Sequence, residues 1–272
     1  MHAMSVIWLR AAAVLYSVCL LHAILTLVKR RPQIFRVALV LFCGGLSLHF
    51  VSIVEEAAYQ GHFPANNFYE SMSLCAYLIG MLYLLVYLRY RFESLSVLLF
   101  PLVFLMTLIG ALGSPVGAWK DATVRDVWLL VHVFLVLSGY AALLVMAAAS
   151  VVYLLQEKQL KSKRSSPLLD RLPPLATLDG LISTSMTLGF VLITLAVIAG
   201  STWAFIESGT RWVTQPKIVV SLVTWLFYLV MVYLRMSAGW RGRRAAVMAI
   251  VVLGCAALTW AAHVGLRHAF TR

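Results

Sequence analysis

The chain has 272 residues, 62% of them hydrophobic and 12% charged, with a formal net charge of +12. A soluble domain is roughly 45–50% apolar and about 25% charged, so this composition excludes an ordinary water-soluble fold and makes lipid the solvent for most of the chain. No basic domain stands apart from the apolar stretches, which points the positive charge toward membrane topology and away from a nucleic-acid partner.

A membrane-crossing helix needs about 20 apolar residues. Eight stretches meet that demand: Val6–Val28, Ile34–Val54, Phe68–Leu88, Leu95–Leu112, Val127–Leu155, Leu181–Phe205, Ile218–Leu234 and Ala245–Leu266. Their continuous apolar character excludes barrel strands, which alternate over about 10 residues. The expectation is an all-α, polytopic membrane bundle forming a single transmembrane domain over 1–272. Fifteen of the 22 Lys and Arg fall in the loops after spans 1, 3, 5 and 7. Such loops remain cytoplasmic, so both termini are expected outside, and the inner basic loops are expected to meet anionic lipid headgroups.

Span 1 ends in "VKRRP" and lacks a small-residue cleavage site, so it reads as a retained span and not a signal peptide. Span 2 carries His49 well inside the apolar run, followed by Glu55 and Glu56. An imidazole at that depth is a functional candidate; a proton relay, cofactor binding and helix glue all suit it. The polar bridge "GHFPANNFYESMSL", Gly61 to Leu74, then lies on the outer face. It reads as a rim that helps shape a pocket, and also as a helix start in which Asn66 or Asn67 caps span 3 with Glu70 near its N-terminus. Span 4 contains Pro101 and Gly110, the only hints of a broken, transporter-like helix.

Span 5 places His132 about one and a half turns from its outer end, and span 8 ends near His263 and His268. Imidazoles from different helices at one mouth can ligate a single metal from opposite sides, an arrangement that suits heme iron. His263 and His268 are five apart, about 140° of helical rotation, so at most one of them joins His132. Zinc is disfavoured, because no cluster supplies three or four convergent ligands. His22 reads as a histidine satisfied by a backbone carbonyl or a Ser. The four cysteines lie inside spans without a C-x-x-C pattern and read as small core residues. The inner loop "EKQLKSKRSSPLLDRLPP" reads as a connector.

Several of these stretches together resemble one family. "GHFPANNFYES" is similar to the outer loop of CcsA/ResC cytochrome c assembly proteins, His49 to the histidine before that loop, and "LLVHVFLVLSGYAALL" to the span with an outer heme-ligating histidine. "SLVTWLFYLVMVYLRMSAGWRGRRAA" resembles the seventh span and its inner loop. The family's tryptophan-rich outer loop is partly kept, with Gly209, Trp212, Pro216 and Lys217, and partly replaced, at Thr214, Gln215, Ile218 and Val220. "GLRHAF" sets His268 one residue away from the family's last histidine, with His263 as rival. These departures lean toward the HemX/YpjD branch.

The resemblance implies a heme-handling protein of the bacterial inner membrane that presents heme b at the outer face for attachment to apocytochrome c. It implies axial ligation by His132 with His268 or His263, ring contacts from Trp203 and Trp212, and propionate contacts from Arg211 and Lys217. A ResB/CcsB-like partner with an outer domain is expected, and enzymatic character extends at most to a subunit of a heme-attachment complex. The alternative is a HemX-like accessory protein that modulates heme synthesis through a cytoplasmic partner; a third reading is a transporter or scaffold without heme.

Overall fold

The computed structural model describes residues 3–29, 32–61, 63–65, 68–112, 124–162, 172–208 and 216–270, without the side chains of 26–29, 32–34, 68, 124–127, 206–208, 216–217 and 260–270. Among these residues the regular structure is entirely helical: α1 (Ala3–Lys29), α2 (Pro32–Gln60), α3 (Phe68–Tyr90), α4 (Ser96–Leu112), α5 (Val124–Ser162), α6 (Leu175–Ser208), α7 (Pro216–Met236) and α8 (Arg243–Phe270). Six of the helices are long and apolar enough to cross a membrane, and α4 is a shorter apolar helix of 17 residues. The chain is a polytopic helical membrane protein.

Helices outlast the apolar runs that announced them. Span 2 was expected to end at Val54, yet α2 continues to Gln60 and takes in Glu55 and Glu56. It stops at Gly61, whose positive φ of 70° lets its N–H reach back to Ala57 O at 3.0 Å, the usual glycine termination. Similarly, α5 runs on through "QEKQLKS" to Ser162. Hydropathy marks the residues in hydrocarbon, whereas the backbone ladder continues as long as its own hydrogen bonds hold.

The chain divides into two compact units, one built on α1–α4 and one on α5–α8. In the first unit each helix gives one ring to a central cluster. Tyr16 lies 5.5 Å from Phe42, Phe42 stacks on Phe100 at 4.4 Å, and Tyr83 stands edge-on to Phe100 at 5.1 Å. Aromatic pairs at such spacings add specific geometry to plain apolar burial. Gly45 makes room for this cluster, since a Cβ there would lie 2.6 Å from the Tyr16 ring. Pro101 sits inside an uninterrupted α4, and Gly110 lets α4 approach α3, where a Cβ would meet Ser73 Cβ at 3.0 Å. Gly110 thus has a packing explanation, α4 runs on through Pro101, and the hint of a broken helix disappears.

The second unit packs α5 on α6 through small residues. A Cβ at Gly139 would lie 2.5 Å from Ile193 Cγ1, and one at Gly189 would lie 3.3 Å from Ala142 Cβ. Small residues at such seams compensate for the missing hydrophobic drive between helices in lipid. Helix α7 is fastened to α6 by Trp225 Nε1–H donating to Thr194 Oγ1 at 3.0 Å and by Tyr228 OH donating to Met186 O at 2.9 Å. At the far end of α7, Arg235 grips Asp179 with two nitrogens, each at 2.8 Å, and Gly242 N–H donates to the same carboxylate at 3.0 Å. That clamp shapes the "GWRGRR" turn, in which Gly242 has a φ of 62° and touches the Tyr153 hydroxyl closely enough to leave no space for a Cβ.

Candidate functional site

Two histidines inside the spans have very different surroundings. His49, on α2, is fully buried. Its Nε2 lies 2.8 Å from Ser73 Oγ on α3 and its Nδ1 lies 3.4 Å from the Tyr16 hydroxyl on α1. The ring also stands edge-on to Tyr77 at 5.6 Å. One imidazole therefore ties three helices together, with a partner on each nitrogen.

A second polar group sits along α2 about one to three turns from His49. Ser5 donates to the Glu56 carboxylate, Ser52 donates to Ser5 O at 2.7 Å, and Gln60 donates both to Glu56 and, at 3.1 Å, to Glu70. Glu56 and Glu70 are 1% and 3% exposed, so the acidic residues expected on a rim are enclosed. Glu70 does fall in the first turn of α3, as the sequence suggested; Asn66, Asn67 and His62 lie outside the described residues. A pocket of about 10 Å³ opens between Ser52, Glu56, Pro64, Glu70 and Ser73, room for about one water.

His132, on α5, is half-buried, and its Nδ1 donates to Ala196 O on α6 at 2.8 Å. A carbonyl only accepts, so Nδ1 carries the proton and Nε2 carries the lone pair. That is the form in which imidazole binds metals, with the non-ligating nitrogen held by a second group. One turn away, Trp128 Nε1–H donates to Ala199 O at 2.7 Å. Gly200 lies directly against the imidazole: an added Cβ would be 2.6 Å from Cε1 and 2.8 Å from Nδ1. Neither this bond of Trp128 nor the closeness of Gly200 to the imidazole is legible in the sequence, because a bond from a side chain to another helix's carbonyl has no sequence signature.

The register of the second unit follows from its contacts. Trp128 pairs with 199 and His132 with 196, so α5 and α6 are antiparallel. Trp225 pairs with 194 and Arg235 with 179, so α6 and α7 are antiparallel. Thr224, in the first half of α7, pairs with Thr259, in the second half of α8. The first turns of α5 and the last turns of α8 therefore share one end of this unit. The side chains of His263 and His268 lie outside the described residues, as do those of Arg211, Trp212 and Lys217. Trp203 is half-buried near the end of α6, two turns beyond Ala196. His22 bonds the Val18 carbonyl of its own helix at 2.9 Å. Among the described residues no group of three or more His, Cys, Asp or Glu side chains is placed to hold a metal ion.

Comparison with known proteins decides the family. The family described as Cytochrome C assembly protein matches residues 65–261. The chain belongs to the CcsA-type cytochrome c assembly family. Its relatives include the cytochrome c biogenesis protein CcsA of Prochlorococcus marinus strain MIT 9215, 32% identical over 72% of this chain and 72% of that protein. The CcsA of Prochlorococcus marinus subsp. pastoris is 29% identical over 75% of this chain and 74% of its own length. A CcsA-type membrane protein has a role in cytochrome c biogenesis, and the family is heme-associated. Neither the family match nor these relatives lend support to a HemX-like reading.

Proposed function

We propose that this CcsA-type chain presents heme b at the outer face of the bacterial inner membrane for attachment to apocytochrome c, as one part of a heme-attachment assembly. The observation that carries this reading is the protonation pattern of His132. Its Nδ1–H is committed to Ala196 O, which fixes the ring orientation and the tautomer, with the lone pair on Nε2, the tautomer in which imidazole ligates iron. His49 fits the role less well, because Ser73 and Tyr16 already hold its two nitrogens inside a closed core; we assign it the helix-tying role among those open to it.

In this reading a histidine near the end of α8 would join His132 in holding the heme, and register favours position 263 over 268. Thr259 lies level with the Thr194–Ala196 turn, by way of Thr224 and Trp225. Positions 263 and 268 then fall about 6 and about 14 Å farther along at about 1.5 Å per residue. His263 is thus the nearer in height to His132. Trp203 and Trp212 would contact the ring, while Arg211 and Lys217 would meet the propionates through charge-assisted bonds. Heme supplies the vinyl groups that client cysteines attack; the chain's own part is to orient, to neutralise charge and to limit water. A ResB/CcsB-like partner with an outer domain would grip the client, and Arg241, Arg243 and Arg244 would face anionic lipid on the opposite side.

Purification in mild detergent from heme-replete cells, followed by absorption spectra with and without dithionite, tests the reading. The expected result is a reduced spectrum of a low-spin bis-imidazole heme that His132→Ala abolishes, His263→Ala weakens strongly and His268→Ala weakens less. A colourless wild-type protein, or a spectrum indifferent to His132→Ala, would overturn it. Deleting the gene should remove mature cytochrome c without lowering total heme.

A further inference from the structure

We propose that Trp128 and Gly200 are positioning residues for His132, forming with the carbonyls of Ala199 and Ala196 a two-rung ladder that fixes the imidazole's tautomer and direction. The inference rests on the reading of His132 as an iron ligand and names what prepares it.

Trp128 and His132 are four apart on α5, so both side chains leave the same face. Their acceptors are three apart on the antiparallel α6, Ala199 O at 2.7 Å from Trp128 Nε1 and Ala196 O at 2.8 Å from His132 Nδ1. Inside a helix each of those carbonyls already accepts the N–H four residues onward. A second donor must use the remaining lone pair, and the space beside it is bounded by the residue one turn onward. For Ala196 that residue is Gly200. The absent Cβ would overlap the imidazole at 2.6 Å from Cε1 and 2.8 Å from Nδ1, and both near atoms belong to a ring that cannot bend away. Glycine at 200 is therefore a condition of the bond and not a filler. Trp128 holds the two helices in register one turn away, so that the Ala196 carbonyl stays beneath the ring. Gly180 lies on the same helix with nothing within 4 Å of an added Cβ, which makes it the internal control.

A ladder that merely fastened α5 to α6 would affect folding and leave the state of His132 alone, so the test reads that state directly. The full chain, labelled with [15N]histidine and reconstituted in lipid nanodiscs, is examined by NMR without heme, and the His132 signals are assigned by their loss in His132→Asn. Wild type and Gly180→Ala should show a protonated Nδ1 and an unprotonated Nε2. Gly200→Ala and Trp128→Phe should show mixed tautomers. In a separate titration with hemin, Gly200→Ala should bind about 10-fold more weakly or worse, in line with losses on removing a supporting bond to a ligating His. Trp128→Phe, which still folds with an aromatic ring in place, should show a smaller loss in the same direction. An unchanged tautomer in both variants overturns the ladder proposal even where His132→Ala abolishes hemin binding. Hemin affinity indifferent to His132→Ala overturns the ligand reading itself, and with it the purpose of the ladder.

Discussion

In the unit of α1–α4, buried polar groups answer one another side chain to side chain: Tyr16 and Ser73 around His49, and Ser5, Gln60 and Glu70 around Glu56. In the unit of α5–α8, several bonds between helices run instead from a side chain to a neighbour's main chain, as with Trp128 to Ala199, His132 to Ala196 and Tyr228 to Met186. The chemical consequence differs. Two hydroxyls occupy both nitrogens of one ring and leave its tautomer open. A carbonyl only accepts, so it dictates the tautomer, with the proton on Nδ1 and the lone pair on Nε2. On the function proposed here, two histidines of similar depth in the sequence would do different work, one holding helices and one serving as a ligand.

The contrast can be tested by stability measurements on the full protein in detergent. The largest expected loss comes from Asp179→Ala. It strands Arg235, whose side chain is 9% exposed, and it removes the acceptor of Gly242 N–H. A loss of about 3 kcal/mol is expected, read as a lower thermal midpoint, with Asp179→Asn intermediate. His49→Leu should cost about 2 kcal/mol, because Ser73 and Tyr16 lose a buried partner. It should leave heme content within a factor of two, and a colourless His49→Leu protein with a normal midpoint would reverse the division of labour between the two histidines. Gly45→Ala, which presses a methyl on the Tyr16 ring, should cost about 1–2 kcal/mol through overpacking. Trp225→Phe removes the bond to Thr194 Oγ1 along with part of the indole that stacks on Phe190 and should cost about 1 kcal/mol or somewhat more.

Much of the fold was legible because lipid imposes it. Composition and run length announced eight helices, and Leu95–Leu112 differs from the observed Ser96–Leu112 by one residue. The ends of α2, α5 and α6 were less legible, since polar residues extend a helix past the hydrocarbon without an apolar pattern. Glu56 illustrates the cost: its place before a polar loop suggests a wet rim, while it is enclosed with Ser5, 51 positions away, which no local pattern connects to it. At the candidate site, His132 stood out because an imidazole in a span is rare and expensive. Gly200, 68 positions later in the chain, carries no such mark; its role exists only once α5 and α6 are laid side by side. The resemblance of "GHFPANNFYES" and "GWRGRR" to family motifs supplied the family, and geometry shows different partners for the two histidines.

The most direct measurement is heme per polypeptide, by pyridine hemochrome assay, in wild type, His132→Ala and His49→Leu purified side by side. The account predicts near-equal heme in wild type and His49→Leu and at least a tenfold loss in His132→Ala. Retention of heme by His132→Ala together with its loss from His49→Leu would contradict it.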